Sequence, residues 1–368
     1  MRRHEGRRWG ALLLGVVLLA GCAPSQPQNG GETPAPQTTT GPSTTPDDKP
    51  AGPPLKVALI LDTGGVDDES FNAAANEGLQ RAIKELGLDA QKSRYIESAS
   101  PADYESNLTQ FASQGYDAVF AVGYLMEDAM KTVAPRFPGV KFILVDGNAP
   151  ELPNCAALRF REEQGCFLVG YLAASISKKK RIGFVGGQEI PLIEKFEAGY
   201  RAGAKAADPA VQVKTTYTGD WNDLNKGRSQ AEQLFGNGAD IVFHAAGKAG
   251  LGVIQAAEAK GPGYYAIGVD RDQDYRAPGR VLTSMVKKLD NAVFDTIKRI
   301  KEGKFQPGTQ EYDISKNGVG ISELKYTRKD IPAGVLGRLE TLKRLISVGQ
   351  VKPPTTLKEV ETFKPPVL

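Results

Sequence analysis

The chain has 368 residues, 40% hydrophobic and 24% charged, with 46 Lys and Arg against 43 Asp and Glu for a net charge of +3. Arg2, Arg3, Arg7 and Arg8 stand against Glu5 in the first 21 residues, an excess equal to the whole net charge. The rest of the chain is near neutral, so no basic face for nucleic acid is expected, and three cysteines and two histidines show no metal-ligand spacing.

The basic start leads into the apolar run Ala11 to Ala20, which ends in Leu19-Ala20-Gly21-Cys22. The run is far shorter than the ~20 apolar residues of a membrane span and reads as a secretory signal over residues 1–21. Its end resembles the bacterial lipobox, which implies cleavage before Cys22 and a diacylglycerol on that thiol. The expectation is an exported lipoprotein, anchored to the cell membrane through Cys22 and facing the periplasm or the exterior. From Ala23 to Pro54 the chain is Pro, Thr, Ser, Gly, Gln and Asp with little to bury, so residues 22–54 read as a disordered tether. As a flexible coil it would span on the order of 30 Å.

The remaining body, about 310 residues, exceeds what one core usually serves. Lys56 to Asp62 is a β run, after which Phe71, Ala75, Leu79, Ala82, Ile83 and Leu86 recur at helical spacing and stop at Gly87. Strand-length runs come next at Asp117–Val122, Lys141–Val145, Arg181–Val185, Val211–Tyr217, Asp240–Phe243 and Tyr264–Val269, with helical stretches between. That βαβα order predicts an α/β protein with parallel sheets covered on both faces. The series restarts near Arg181, after the apolar helix Gly165 to Ile176. The expected domains are an N-terminal lobe over 55–165, a C-terminal lobe over 166–285, and a stretch over 286–368 that crosses back and completes both. Pro332 to Gly349 reads as a closing helix. Lys178-Lys179-Lys180-Arg181 reads as a solvated turn. Cys155 and Cys166 fall on a strand and the following helix; their spacing leaves open a disulfide or two buried thiols.

Ligands of such sheets sit beyond the carboxyl ends of the strands, here in the cleft between lobes. Asp62-Thr63-Gly64-Gly65-Val66-Asp67-Asp68-Glu69-Ser70-Phe71-Asn72 occupies that place after the first strand. Three consecutive acids, Asp67 to Glu69, would repel a phosphate at the helix start, so a hydroxyl-rich ligand without phosphate fits better. The competing reading is an acidic cap by Ser70 or Asp68, with Phe71 joining the core. Gly186 to Tyr200 repeats the pattern in the second half, with Phe196 early in its helix. Each lobe then offers one ring to the cleft, and stacking on a flat heterocycle contributes roughly 1–3 kcal/mol per face.

The Gly-Gly-Val-Asp-Asp-x-Ser-Phe-Asn segment, Gly186 to Tyr200, Ala245-Ala246-Gly247-x-x-Gly-Leu-Gly252, Ile267-Gly-Val-Asp270-x-Asp272-Gln273 and Leu282-Thr-Ser-Met-Val-Lys287 resemble, in order, the basic membrane protein family. These are substrate-binding lipoproteins of ABC transporters, several of which bind purine nucleosides. The resemblance implies a type I periplasmic-binding fold, no cofactor, a monomer, and a guanosine, inosine or adenosine passed to a permease and its ATPase. On the family's pattern Phe71 and Phe196 sandwich the base, Asn72 with Asp62 or Asp68 meets polar atoms, and Asp146 approaches from the first lobe. Gly247, Asp270 and Lys287 meet the ribose; a carboxylate accepts from vicinal hydroxyls, and an ammonium donates and offsets its charge. Lys248 departs from the small residues frequent there. Trp221 and Asn222, after another strand, are further candidates for the cleft or for structural roles.

Two other function classes share these residues. Asp-Thr-Gly-Gly-Val-Asp-Asp also resembles the calcium motif of nucleoside hydrolases, Asp-x-Asp-Pro-Gly-x-Asp-Asp, but alignment of the shared ends puts Leu61 and Thr63 where its first two acids belong. Calcium asks for six to eight oxygens, and His244, on a predicted strand, reads as structural rather than as an acid. The chain is therefore expected not to be an enzyme. A tethered nucleoside sensor without transport would use the same cleft.

Overall fold

The computed structural model describes residues 53–367; the expected signal peptide, Cys22 and nearly all of the expected tether lie outside them. In the first sheet, β1 (Val57–Leu61), α1 (Phe71–Leu86), β2 (Arg94–Glu97), α2 (Tyr104–Ser113), β3 (Ala118–Val122), α3 (Glu127–Val133), β4 (Lys141–Val145) and β5 (Cys155–Phe160) give the strand order β2-β1-β3-β4-β5, all parallel. Every residue of β1 and β3 is buried, because helices cover both faces of the sheet.

Helix α4 (Glu162–Ile176) leads to a second sheet that repeats the plan. There β6 (Arg181–Gly186), α5 (Pro191–Ala207), β7 (Gln212–Tyr217), α6 (Leu224–Gly236), β8 (Ile241–Ala245), α7 (Gly250–Lys260), β9 (Tyr265–Asp270) and β10 (Val281–Lys287) give β7-β6-β8-β9-β10, again parallel. The chain then returns: α8 (Leu289–Lys301) packs on α1, and β11 (Gly308–Tyr312) joins β5. It crosses once more to place β12 (Val319–Ile321) antiparallel to β10, and closes with α9 (Ala333–Ser347) on α4 and α10 (Leu357–Thr362) on α5. Three passages therefore join the lobes, after β5, β10 and β11.

Both sheets have the doubly wound order with a switch point between their first and third strands. Two such lobes facing each other make the type I periplasmic-binding fold, α/β, that the alternation of runs and the motifs lead one to expect. Local signals hold as well. Helix α1 stops at Gly87, whose φ of 64° is the left-handed C-terminal cap glycine provides at little cost. Helix α4 begins three residues before its expected start, with Glu162 and Glu163 buried in its first turn. Cys155 and Cys166 are buried free thiols. Among the described residues no helix is long and apolar enough to cross a membrane.

Candidate functional site

A cavity of about 650 Å³, open mouth included, lies between the carboxyl ends of the two sheets. Asp62, Asp68, Phe71, Asn72, Asp146, Phe196, Gly247, Asp270 and Lys287, the nine cleft residues expected from sequence, all line it.

The turn after β1 is built by its own acids. Asp62 Oδ1 accepts from the Gly64 N–H at 2.9 Å and from Asn72 Nδ2 at 2.7 Å. Asp68 accepts the backbone N–H groups of Ser70, Asn72 and Ala73 at 2.8–3.0 Å, so it supplies the capping of α1 and also faces the cavity. Ser70, at the cap position, turns its hydroxyl away and donates across the cleft to Asp270 at 2.5 Å. Cap and site are thus one structure. Asn72 is fully buried, and its Oδ1 has no protein partner.

Asp146 and Asp270 stand at matching places, next to and at the end of the fourth strand of each lobe. Both have left-handed backbones, φ 68° and 62°, a conformation aspartate tolerates better than most residues. The turn aims both carboxylates into the cleft, with Lys287, the last residue of β10, between them. Lys287 Nζ pairs with Asp146 and lies 3.0 Å from Glu162. It also lies 5.0, 4.9 and 5.9 Å from the ring centres of Phe71, Phe160 and Phe196, within cation–π range. The attraction of Asp146, Glu162 and Asp270 outweighs the burial that disfavours its charge, so Lys287 is held well above the usual lysine range. Burial pushes Asp62 and Asp270 above the usual carboxylate range.

Asp146 carries a testable consequence. Burial pushes its carboxyl up to about 6 against the opposing pull of Lys287, and its Oδ1 is buried without a partner. A carboxyl raised in the folded state favours folding most below its unfolded value, and that contribution is lost as pH rises from about 4 to 6. A ligand donor reaching Oδ1 favours the carboxylate. Binding of a donor-rich ligand near pH 6 is therefore expected to release protons and to tighten as pH rises from about 5 to 7. Calorimetry in two buffers of different ionisation enthalpy reads this, and net proton uptake would contradict it.

Other lining residues were not singled out from sequence: Tyr124 and Leu125 in the turn after β3, and Ile190, Leu192 and Ile193 around the start of α5. Gly123 after β3 was the available signal, since glycine after a strand marks the other two loops as well. Trp221 lines the cavity with its indole N–H buried and unpartnered. Asn222 crosses the cleft instead, donating to the Thr63 carbonyl.

Further pairs close the cleft mouth. Lys248 lies 2.6 Å from Asp67, which gives the departure at that position a partner, and Arg271 pairs with Glu77. Glu69, with φ 50°, takes three cross-lobe bonds: Tyr275 Oη at 2.6 Å and Arg276 at 3.1 Å on its carboxylate, Gln273 Nε2 at 3.1 Å on its carbonyl. Gln273 is oriented by His244, whose fully buried Nε2 lies 3.1 Å from Gln273 Oε1. That oxygen also accepts from the Val269 N–H, so the histidine donates. Burial pushes His244 down to about 4, which keeps it neutral. Among the described residues no group of three or more His, Cys, Asp or Glu is arranged to hold a metal ion.

ABC transporter substrate-binding proteins of the PnrA-like kind match the chain over residues 55–349. It is similar to the CD4+ T-cell-stimulating antigen of Listeria monocytogenes, 38% identical over an alignment of 317 positions that covers 81% of this chain and 87% of that protein. It is also similar to the ABC transporter nucleoside-binding protein BmpA of Lactococcus lactis, 34% identical over an alignment of 284 positions that covers 73% of this chain and 81% of that one. Among solved structures, an ABC transporter solute-binding protein from Aeropyrum pernix superposes with a TM-score of 0.75 at 29% identity, covering 84% of this chain and 96% of its own.

Proposed function

The chain belongs to the family of PnrA-like ABC transporter substrate-binding proteins, and from that premise we propose that it captures a purine nucleoside between its lobes and delivers it to a permease and ATPase. Lipid on Cys22 would hold it at the membrane while the tether lets the lobes reach the permease. The observation that carries the nucleoside reading is the make-up of the cavity. Aromatic rings from opposite lobes, Phe71 and Phe196, share it with four carboxylates and one ammonium. Two rings suit a flat base. Asp62, Asp68 and Asn72 suit the donors and acceptors of its edge, while Asp146, Gly247, Asp270 and Lys287 suit a ribose. Four carboxylates against one ammonium disfavour a phosphate, which points to guanosine, inosine or adenosine rather than a nucleotide.

Capture needs no bond made or broken. The ligand would be enclosed as the lobes meet, and the pairs around Glu69, Asp67 and Glu77 form in the same movement. A ligand that binds only the closed, folded chain adds about 2.7 kcal/mol of stability at 100 times its dissociation constant. In a thermal-shift panel of nucleosides, free bases, nucleotides and sugars, run on protein refolded free of co-purifying ligand, purine nucleosides are expected to give the largest rise in Tm. No rise with any of them, or a larger one with free sugar, would refute the reading. Release of free base during the incubation would show hydrolysis instead.

A further inference from the structure

Glu162 is fully buried in the first turn of α4, directly after the passage from β5, and does not line the cavity. A buried carboxylate with no compensating charge is costly to hold. Here it lies between two lysines. One oxygen lies 3.0 Å from Lys287 Nζ, the other pairs with Lys195, and Lys195 Nζ also donates to the Phe160 carbonyl at 2.9 Å. Burial raises the Glu162 carboxyl, yet the two ammonium groups together outweigh it and hold the group below the usual carboxylate range.

The three passages between lobes meet at this point. Glu162 follows the first, and Lys287 precedes the second. Phe160, at the end of β5, stacks on Tyr312, at the end of β11, with ring centres 5.1 Å apart, and its ring also lies 4.9 Å from Lys287 Nζ. Lysine has four rotatable carbons and a point charge, so nothing in its own stem fixes where the ammonium sits. Asp146, the residue after β4, holds the ammonium from the first lobe only.

We propose that Glu162 is a positioning residue for ligand capture: from the first hinge passage it fixes the Lys287 ammonium at the floor of the cavity. Lobe angle and lysine position are thereby set together. The use of that lysine by a nucleoside rests on the function proposed above; its placement by Glu162 does not.

Glu162→Gln keeps the shape and removes the charge, and two measurements separate the claims. In a crystal structure of the ligand-free variant, Lys287 Nζ is expected to leave its place beside the Phe71 and Phe160 rings; an unmoved ammonium overturns the proposal whatever the ligand does. By calorimetry with guanosine, Glu162→Gln is expected to weaken binding about tenfold, a coupling of about 1.4 kcal/mol. That loss should vanish in a Lys287→Met background, because the effect passes through the lysine. Equal losses in both backgrounds would mean a general structural role and overturn it. Should Lys287→Met not fold, Lys195→Met serves: it removes the other partner of Glu162 and should weaken guanosine without adding to Glu162→Gln. Additive losses there overturn the proposal too. A wild-type chain that ignores guanosine while Lys287 still moves would refute the proposed ligand and leave the positioning role standing.

Discussion

Replacing Lys287 with methionine is expected to cost roughly 3–5 kcal/mol of stability, the penalty for breaking a buried ion pair by removing one partner. The lysine side chain is 1% exposed, and those of Asp146 and Glu162 are 4% and 0% exposed, so water cannot take over the lost charge. Glu162 keeps Lys195, but Asp146 is left without a cation in contact and Asp270 loses the charge that offsets its burial. The deficit should depend on pH in a set direction. Asp146 already holds its proton up to about 6, and loss of the lysine raises that further. Protonation relieves the uncompensated charge, so the gap between variant and wild type should narrow from pH 8 to pH 5. Urea denaturation at both values measures it. A gap that stays constant, or a variant as stable as wild type at pH 8, would show that the ammonium does not neutralise this cluster. Asp146→Asn added to Lys287→Met should recover part of the loss at pH 8, since it removes the stranded charge rather than restoring the pair.

The residues legible in sequence share a property: each sits in a local pattern that already states its role. The runs that became β1, β3, β4, β6, β8 and β9 are apolar because both faces of a parallel strand are buried, and periodicity finds them. Asp62 lies in the loop after β1, and Phe71 and Phe196 lie early in the helices that follow β1 and β6, at the sheet edge where an open sheet places its ligand. The short strands β11 and β12, Gly-Thr-Gln-Glu-Tyr and Val-Gly-Ile, carry no such pattern. They are edge additions whose partners lie more than 30 residues away. Glu162 was illegible for the same reason. An acid at a helix start reads as a solvated first-turn residue favoured by the dipole, and only the fold brings Lys195 and Lys287 to it.

The cleft rim shows how a local reading can be sound and incomplete. Asp67, Asp68 and Glu69 read as one acidic run against phosphate. Backbone geometry divides them: Asp68 turns inward to cap α1, while Asp67 and Glu69 turn to the other lobe. The cations that receive them, Lys248 and Arg276, are 181 and 207 residues further along the chain. These rim pairs are partly exposed, each worth about 0–1 kcal/mol and weakened by salt. They suit a closure that must also reopen, whereas the buried Lys287 cluster does not.

The second large effect is expected at Gly203, two turns further along α5 from the cavity residue Phe196. A Cβ built there would lie 1.9 Å from the Phe167 carbonyl oxygen and 2.9 Å from the Tyr171 nitrogen, both backbone atoms of α4. Gly170 on α4 meets the Tyr200 carbonyl at 2.1 Å in the same way. The two helices touch backbone to backbone, so no side chain can move aside for a methyl group and the helices themselves must part. Gly203→Ala gains up to about 1 kcal/mol of helix propensity, but overpacking of this kind costs roughly 1–3 kcal/mol, and more where backbone is the obstacle. The net expectation is a clear loss. Gly337→Ala in α9 is the matched control: nothing lies within 4 Å of its Cβ, so propensity alone should raise stability by about 0.5–1 kcal/mol. Denaturation midpoints of the two variants should fall on opposite sides of wild type, and Gly203→Ala at or above wild type would refute the argument. The consequence reaches the cleft, because α5 carries Phe196 and Lys195 while α4 begins at Glu162. A Gly203→Ala chain that still folds should therefore bind guanosine more weakly, and Gly337→Ala should bind it as wild type does.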